Sequence, residues 1–528
     1  MPSSFGSSNS KSMNTSPNMA PKTIDEGNPL QQCYITSITD DALEIILESV
    51  FTTSCAEYNN ATVPRHLPAL STLKLSHVNR QFRLLSLSTP HLWTHIAGKE
   101  RNPNMGLVNA CLERSRDLPL TIHLYVYIDP LYGSSCDNIL SASKPHSHRW
   151  RSVTFHFTHI PHGPPDYTLG FVGALRGLYE LRDIPTPALE ELALYNEPNS
   201  IEGSLYFIES WNTPALRSLI TVFCFPSKLP AESFGSITSL EMTFSLRYED
   251  FFDALSLIQT SKMPNLTDLS LIFNYHEEFF AINPQSVPPL QKTSIPSIQR
   301  LRITNSTKSF HDTYSEGLEK DIFRALTFPN AHELSVTFVG ETVHVGRPCA
   351  YFHLFDAAER IFHTDNAEAT PFPCVSRLLI NISASGLDHE ALAGGLARFD
   401  LPLHLLPSLK ELHVRSNMPI DFGTDFLGKG DQPALRRIEF DVPRLELQAS
   451  AATSPCEPDY WEWLRALVKA LTAQGVWNQF EELTLIERVY GTNPDGTGIR
   501  KRYRKRVFPR DMLFENLDGH VDDKSLSK

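Results

Sequence analysis

Three groups of residues in this 528-residue chain have types and spacings that chemistry could use. The segment Gly423-Thr424-Asp425-Phe426-Leu427-Gly428-Lys429-Gly430 matches a phosphate-binding loop through its lysine. Such a loop needs a Ser or Thr next, to ligate Mg²⁺, and then a helix whose N-terminus cradles the phosphates. Gly430 takes the place of the hydroxyl and Pro433 falls where the helix should begin, so a surface loop is expected. His156, His159 and His162 recur every third residue, as a row of metal ligands could. They alternate with Phe155 and Phe157 and run into Pro161, without the carboxylate or thiolate that metal sites usually recruit, so a chance cluster is expected. The eight cysteines are no closer than Cys33 and Cys55, which excludes a C-x-x-C pair and zinc-finger spacing. No Gly-x-Ser-x-Gly elbow, Gly-x-Gly-x-x-Gly loop or His-Glu-x-x-His pair occurs. The expectation is a chain without catalytic, cofactor or metal sites.

Charge and composition narrow the partners. Lys and Arg number 47 against 60 Asp and Glu, a net charge of −13, which argues against general affinity for nucleic acid or an anionic membrane. No apolar run approaches the ~18 residues of a spanning helix. The polar, Ser- and Asn-rich start has nothing of a secretory leader, so the thiols are expected to be reduced, in cytoplasm or nucleus or both. Residues 1–33 are expected to be a disordered tail. Proline is the oddity, at 38 residues.

The prolines recur with a pattern, Pro-x-Φ-x-x-Leu-x-Φ, in which Φ is apolar. Ten copies begin at Pro187, Pro214, Gly235, Pro264, Pro296, Pro329, Pro373, Pro407, Pro433 and Asn478, on average about 32 residues apart. The central position reads Leu192, Leu219, Leu240, Leu269, Leu301, Leu334, Leu378, Leu412, Ile438 and Leu483. Residues two apart share a strand face, so each Leu-x-Φ pair should point into a core. Proline fixes φ and lacks a donor, which suits the turn entering the strand. Helix-period segments precede several copies, as in Leu318, Ile322 and Leu326, or Trp461, Leu464, Val468 and Leu471. A short strand and a returning helix or loop at this spacing is a solenoid unit. A doubly wound α/β domain is the alternative, but its glycine-rich turns and long apolar strands do not appear. The unit resembles a stretched, degenerate leucine-rich repeat. Weaker copies lie around Leu120, Ile122 and Leu124, and around Trp150, Val153 and Phe155.

Residues 34–100 read differently. Ile38, Leu43, Ile46, Leu47, Val50 and Phe51 form one helical stripe, opened by Thr39-Asp40-Asp41. A polar insert is expected over 52–68, then one helical stretch carrying Leu73, Leu75, Val78, Phe82 and Leu85, broken by Ser88-Thr89-Pro90 and closed by Leu92-Trp93. So few helices are too little for an independent core. The order resembles an F-box, best in Thr72-Leu73-Lys74-Leu75-Ser76-His77-Val78-Asn79-Arg80-Gln81-Phe82-Arg83 and Pro90-His91-Leu92-Trp93, and the sequel Cys111-Leu112-Glu113-Arg114-Ser115 is similar to fungal F-box-like proteins. Two positions depart from the family pattern: Ile38-Thr39 replaces Leu-Pro, and Phe82 stands where Trp is common.

The fold class expected is thus α/β: a small all-α F-box module, an irregular leucine-rich-repeat α/β solenoid over 101–490, and a basic then acidic tail over 491–528. The resemblance implies a substrate-recognition subunit of a cullin-based (SCF-type) ubiquitin ligase. The F-box would dock on the Skp adaptor, and through it a cullin, by Ile38, Leu43, Ile46, Leu47, Leu75, Val78, Phe82 and Leu92. Trp93 would either join that contact or lock the box onto the first repeat. The repeats would hold a protein substrate on side chains flanking the central Leu, among them Arg300, Arg302, Arg377, His413 and Arg437, with Arg300 and Arg302 also able to grip a phosphate. Arg500-Lys501-Arg502-Tyr503-Arg504-Lys505-Arg506 reads as an import signal, a nucleic-acid contact, a solvated tail or the edge of the last repeat. The competing function is a repeat scaffold without a ubiquitin role, its helices merely capping the open end.

Overall fold

Most proline-led segments fold into the same turn, and all lead into a strand. In the computed structural model, which describes residues 38–60, 68–98, 104–129, 133–134, 137–159, 178, 181–196, 205–244, 254–258, 262–274, 291–307, 318–341, 351–353, 361–362, 370–385, 396–418, 420–424, 427, 430–445, 460–492 and 499–513, the turn is closed by a backbone hydrogen bond over four residues. Leu189 N–H donates to the Thr186 carbonyl (3.1 Å), Leu216 to Thr213 (3.1 Å), Ala331 to Phe328 (3.2 Å) and Leu409 to Leu406 (3.0 Å). Proline occupies the second turn position, where its fixed φ fits and its missing N–H costs nothing. The next residue often stitches copies together: Asn265 donates to the Gly235 carbonyl (2.7 Å), Asn330 to Pro296 (2.8 Å) and Ser408 to Pro373 (2.7 Å).

The strands assemble into one 15-stranded, mostly parallel sheet. Along its path run β1 (His95–Gly98), β2 (Leu120–Asp129), β3 (Trp150–His159), β4 (Glu191–Asn196), β5 (Ser218–Val222), β6 (Ser239–Phe244), β7 (Asp268–Asn274), β8 (Arg300–Thr307), β9 (Glu333–Glu341), β10 (Arg377–Ser385), β11 (Glu411–Ser416), β12 (Arg437–Leu445), β13 (Glu482–Thr492) and β14 (Ile499–Pro509). Each pairs with its predecessor and successor in sequence, parallel throughout except for antiparallel β13–β14. Among the described strands of this path the order never reverses, so the doubly wound alternative, which requires a switch point, does not hold. The central positions of all ten copies align in one row, from Leu192 beside Leu219 to Ile438 beside Leu483. Val153, Ile122 and Ile96 extend the row to β1. At each strand entrance one carbonyl accepts two N–H groups of the next copy: Glu190 takes those of Arg217 (2.8 Å) and Ser218 (3.0 Å), and His332 those of Ser376 and Arg377 (both 3.0 Å).

The row supplies the core. Every residue in it from Ile96 to Leu483 is at most 2% exposed, and each such leucine contributes about 2 kcal/mol relative to an exposed one. The first apolar position of each copy, such as Leu189, Leu266 or Ile298, is buried beneath the turn. Helices α1 (Asp40–Asn60), α2 (Pro68–Ser76) and α3 (Arg80–Ser88) precede the sheet. α4 (Met105–Arg114) and α5 (Asp137–Ser143) flank β2, α6 (Leu318–Ala325) precedes β9, and α7 (Tyr460–Ala473) precedes β13. α7 buries Leu464, Val468 and Leu471, the stripe legible in the sequence.

Four boundaries differ from the sequence expectation. α1 continues to Asn60, so the segment 52–60 is helix, with Phe51 buried and Ser54 hydrogen-bonded to Ser71 of α2 (3.0 Å). The single helix through Val78 is two, because Asn79 adopts extended φ and its side chain accepts from Phe82 N–H (2.9 Å), a competing cap in mid-stripe. The sheet begins at His95, inside the stretch assigned to the helical module. The basic stretch assigned to a tail is β14, bound to β13 over eleven residue pairs, and Leu513 beyond it is buried. Residues 1–33 and His162 lie outside the described residues.

Candidate functional site

Three surfaces carry the residues singled out above. The first is the helical module. Thr39 caps α1 through Ala42 N–H (3.4 Å), and Gln81 of α3 donates to the Asp40 carboxylate, so the two helices begin side by side. Leu43, Leu47, Phe82 and Leu92, expected to reach an adaptor, are instead 0–6% exposed within the core shared with the sheet, and Trp93, left open between adaptor and first repeat, is 0% exposed in that core. The reason is geometric: the three helices bury their strongest stripe against each other, with α2 also on β1. Trp93 donates to the Ser86 carbonyl (2.7 Å) and lies under the Arg114 guanidinium, 4.6 Å from its ring centre. These contacts tie Trp93 to α3 and α4 within the shared core. Ile38 and Leu75 are partly buried. Ile46 and Val78 do face outward, joined by two residues the sequence reading passed over, Ile45 (66% exposed) and Leu84 (60%). Their signal was present, as apolar residues off the main stripe of their own helices.

The second surface is the open face of the sheet, formed by side chains just before and after the central row. Between β7 and β13 the residues before it read Asp268, Arg300, Glu333, Arg377, Glu411, Arg437 and Glu482, alternating in sign and adjacent in register. Arg300 pairs with Asp268, Arg377 with Glu333 and Glu411 (both 3.7 Å), and Arg437 with Glu481 (3.0 Å) and Glu482 (4.0 Å). His413 sits between Glu411 (3.7 Å) and Glu439 (3.8 Å). Burial alone would raise the Asp268 carboxyl, but hydrogen bonds from Arg300 and Thr267 hold it below its ordinary value. Three of the five residues assigned to substrate, Arg300, Arg377 and Arg437, thus meet carboxylates of the sheet itself, and His413 sits beside two. Arg302 is exposed between Ser270 and Ser335, and the phosphate grip shared with Arg300 does not form, because Arg300 is turned to Asp268.

Between β1 and β4 the same face is aromatic. The His156 imidazole is sandwiched between Tyr125 and Tyr195, each 4.4 Å away at 5° between ring planes. The Phe51 ring of α1 meets His95 edge-on at 5.2 Å. Burial lowers His95 and His156 to about 4, and burial with the neighbouring His95 and His156 lowers His123 to about 3. His156 is thus a stacking residue, and Phe155 and Phe157 point from the opposite face into the core. Among the described residues no group of three or more His, Cys, Asp or Glu could hold a metal ion.

The third surface is β14. On its core side Phe508 is buried and Arg506 donates to Glu487 Oε2 (2.7 Å), whose other oxygen accepts from the Tyr460 hydroxyl (3.1 Å). Glu487 is wholly buried, so this pair pins β14 to β13. Arg502, Tyr503, Arg504, Lys505 and Val507 are exposed.

Two further sequence candidates find no chemistry. The loop through Gly430 runs without a helix into β12. The Cys55 and Cys111 thiols are raised by burial, to about 11 and about 12, which disfavours the thiolate. Among the described residues no helix is long and apolar enough to cross a membrane. No protein-family model matches the chain, and no curated protein matches it.

Proposed function

We propose that the chain is a substrate-recognition subunit of a cullin-based ubiquitin ligase. Its F-box-like helices dock on the Skp adaptor, and its leucine-rich-repeat solenoid presents a protein substrate. Nothing in it makes or breaks a bond; its contribution is proximity, holding substrate beside a charged conjugating enzyme. The observation that carries the reading is the placement of exposed apolar residues. Four of the eight large hydrophobics exposed among the described residues, Ile45, Ile46, Val78 and Leu84, lie on one short helical module. Solvent-facing clusters of this kind mark interaction sites. That module shares one core with the sheet and its α2 packs on β1, so a partner bound to it is held close to the first strands.

The test is co-purification with the Skp adaptor, wild type against Ile46→Asp with Leu84→Asp. Both side chains are exposed, so circular dichroism should be unchanged while adaptor recovery falls at least about tenfold. If wild type does not bind, the ligase role is lost and a repeat scaffold with capping helices remains.

A further inference from the structure

The two ends of the sheet are treated differently. β1 is four residues long, and α2 and α4 pack against it. β14 is eleven residues long and pairs only with β13 among the described strands. A strand of that length with one edge bonded among the described residues presents a row of outward N–H and C=O groups, a template for a further strand.

Its side chains say which strand fits. Phe508 and Arg506 face the core side, so by period two Arg502 and Arg504 lie on that side, and Tyr503, Lys505 and Val507 lie on the open face. Elsewhere on the sheet Arg300, Arg377, Arg415, Arg437 and Arg488 each meet a carboxylate. Arg502, Arg504 and Lys505 have no acidic partner among the described residues. Charge on an edge by itself discourages pairing. A purely protective edge, however, would not also expose Tyr503 (67%) and Val507 (48%), with Met512 (55%) just beyond.

We propose that the free edge of β14 docks an extended acidic peptide with alternating apolar residues, which joins the sheet as an added strand. Its carboxylates meet Arg502 and Arg504 on one side, and its apolar residues meet Tyr503 and Val507 on the other. Nucleic acid is disfavoured because phosphates would use neither the backbone edge nor the apolar face. The site is remote from the helical module, so it stands or falls separately from adaptor binding.

Fluorescence anisotropy on the full chain tests it with labelled peptides of about twelve residues, alternating Glu-Val, Glu-Pro or Lys-Val, and a single-stranded DNA oligonucleotide. Glu-Val should bind. Glu-Pro, equally charged but unable to donate at alternate residues, should bind at least about tenfold more weakly, as should Lys-Val. Arg502→Glu with Arg504→Glu should weaken Glu-Val by at least about tenfold. Equal binding of Glu-Pro would reduce the site to bulk charge. Tighter binding of DNA would make it a nucleic-acid surface. No binding of Glu-Val at about 100 µM would leave the basic residues as edge protection only.

Discussion

The open face of the sheet is built twice, on one backbone plan and from opposite chemistries. From β1 to β4 its rows hold His95, His123, Tyr125, His156 and Tyr195, with His156 stacked between the two tyrosines. From β7 to β13 they hold alternating carboxylates and guanidiniums. Both satisfy the demand of an in-register parallel sheet, in which like residues are forced side by side and must attract. Rings do so by stacking, charges by alternating sign. The difference predicts opposite sensitivities. The aromatic end should fail in acid and ignore salt, and the charged end should weaken in salt and tolerate mild acid.

The largest effect expected is therefore acid loosening confined to β1–β4. His95, His123 and His156 have folded-state values of about 4, 3 and 4, below the ordinary ~6.5 of the unfolded chain. Between those limits the unfolded state binds more protons, so stability rises with pH there and is lost as pH falls from ~6.5 toward ~4. At about 1.4 kcal/mol per unit for each imidazole, the sum is several kcal/mol. Amide hydrogen exchange should speed up in β2 and β3 between pH 6.5 and 4 while β9–β11 stay protected. For Asp268 the window is different: its depressed carboxyl keeps its stabilisation above the ordinary carboxylate range and yields it only at lower pH. Replacing the three histidines with Phe should abolish the acid response of β1–β4; persistence of that response would assign it to another group.

A smaller effect isolates the stack itself. Tyr195→Leu keeps most of the apolar area but removes one face of the His156 sandwich. It should cost about 1 kcal/mol, read as a local rise in exchange of β3 and β4. An equal rise in β9 would show that the two ends are not independent units.

Much of this architecture is legible in the chain. The proline that opens eight of ten copies, with the Leu or Ile five residues later, located ten strands and their common register, because the turn suits a fixed φ and the strand needs a buried side chain. The order of the charge ladder follows from the same alignment, since Glu333 and Glu411 stand before the central Leu of the copies next to that of Arg377. The ion pairs themselves were not legible: Arg300, Arg377 and Arg437 are 77 and 60 residues apart in sequence, and which carboxylate each one meets depends on side-chain reach across the sheet. The helical module misled for a related reason. Leu43, Leu47 and Phe82 have the periodicity of a docking face, and periodicity cannot tell a face turned to a partner from one turned to the neighbouring helices and the molecule's own core. β14 was only half legible: the edge of the last repeat was one of four readings of the basic run, and six bases in seven residues mask the Tyr503 and Val507 alternation that would have singled it out.

The smallest effect is the one that best sharpens the contrast. Arg377 bridges Glu333 and Glu411 at 3.7 Å each, with 44% of its side chain exposed. Pairs this open contribute about 0.2–1 kcal/mol each and are screened by salt. Arg377→Ala also leaves two carboxylates facing each other across the vacated strand, a repulsion of similar size. The loss should be about 1 kcal/mol at low salt and fall toward zero near 1 M NaCl, measured by exchange in β9–β11. The Tyr195→Leu loss should not change over the same range, because stacking carries no net charge to screen. If both variants respond alike to salt, ring stacking and charge alternation are not the separate solutions that the two halves of the face present.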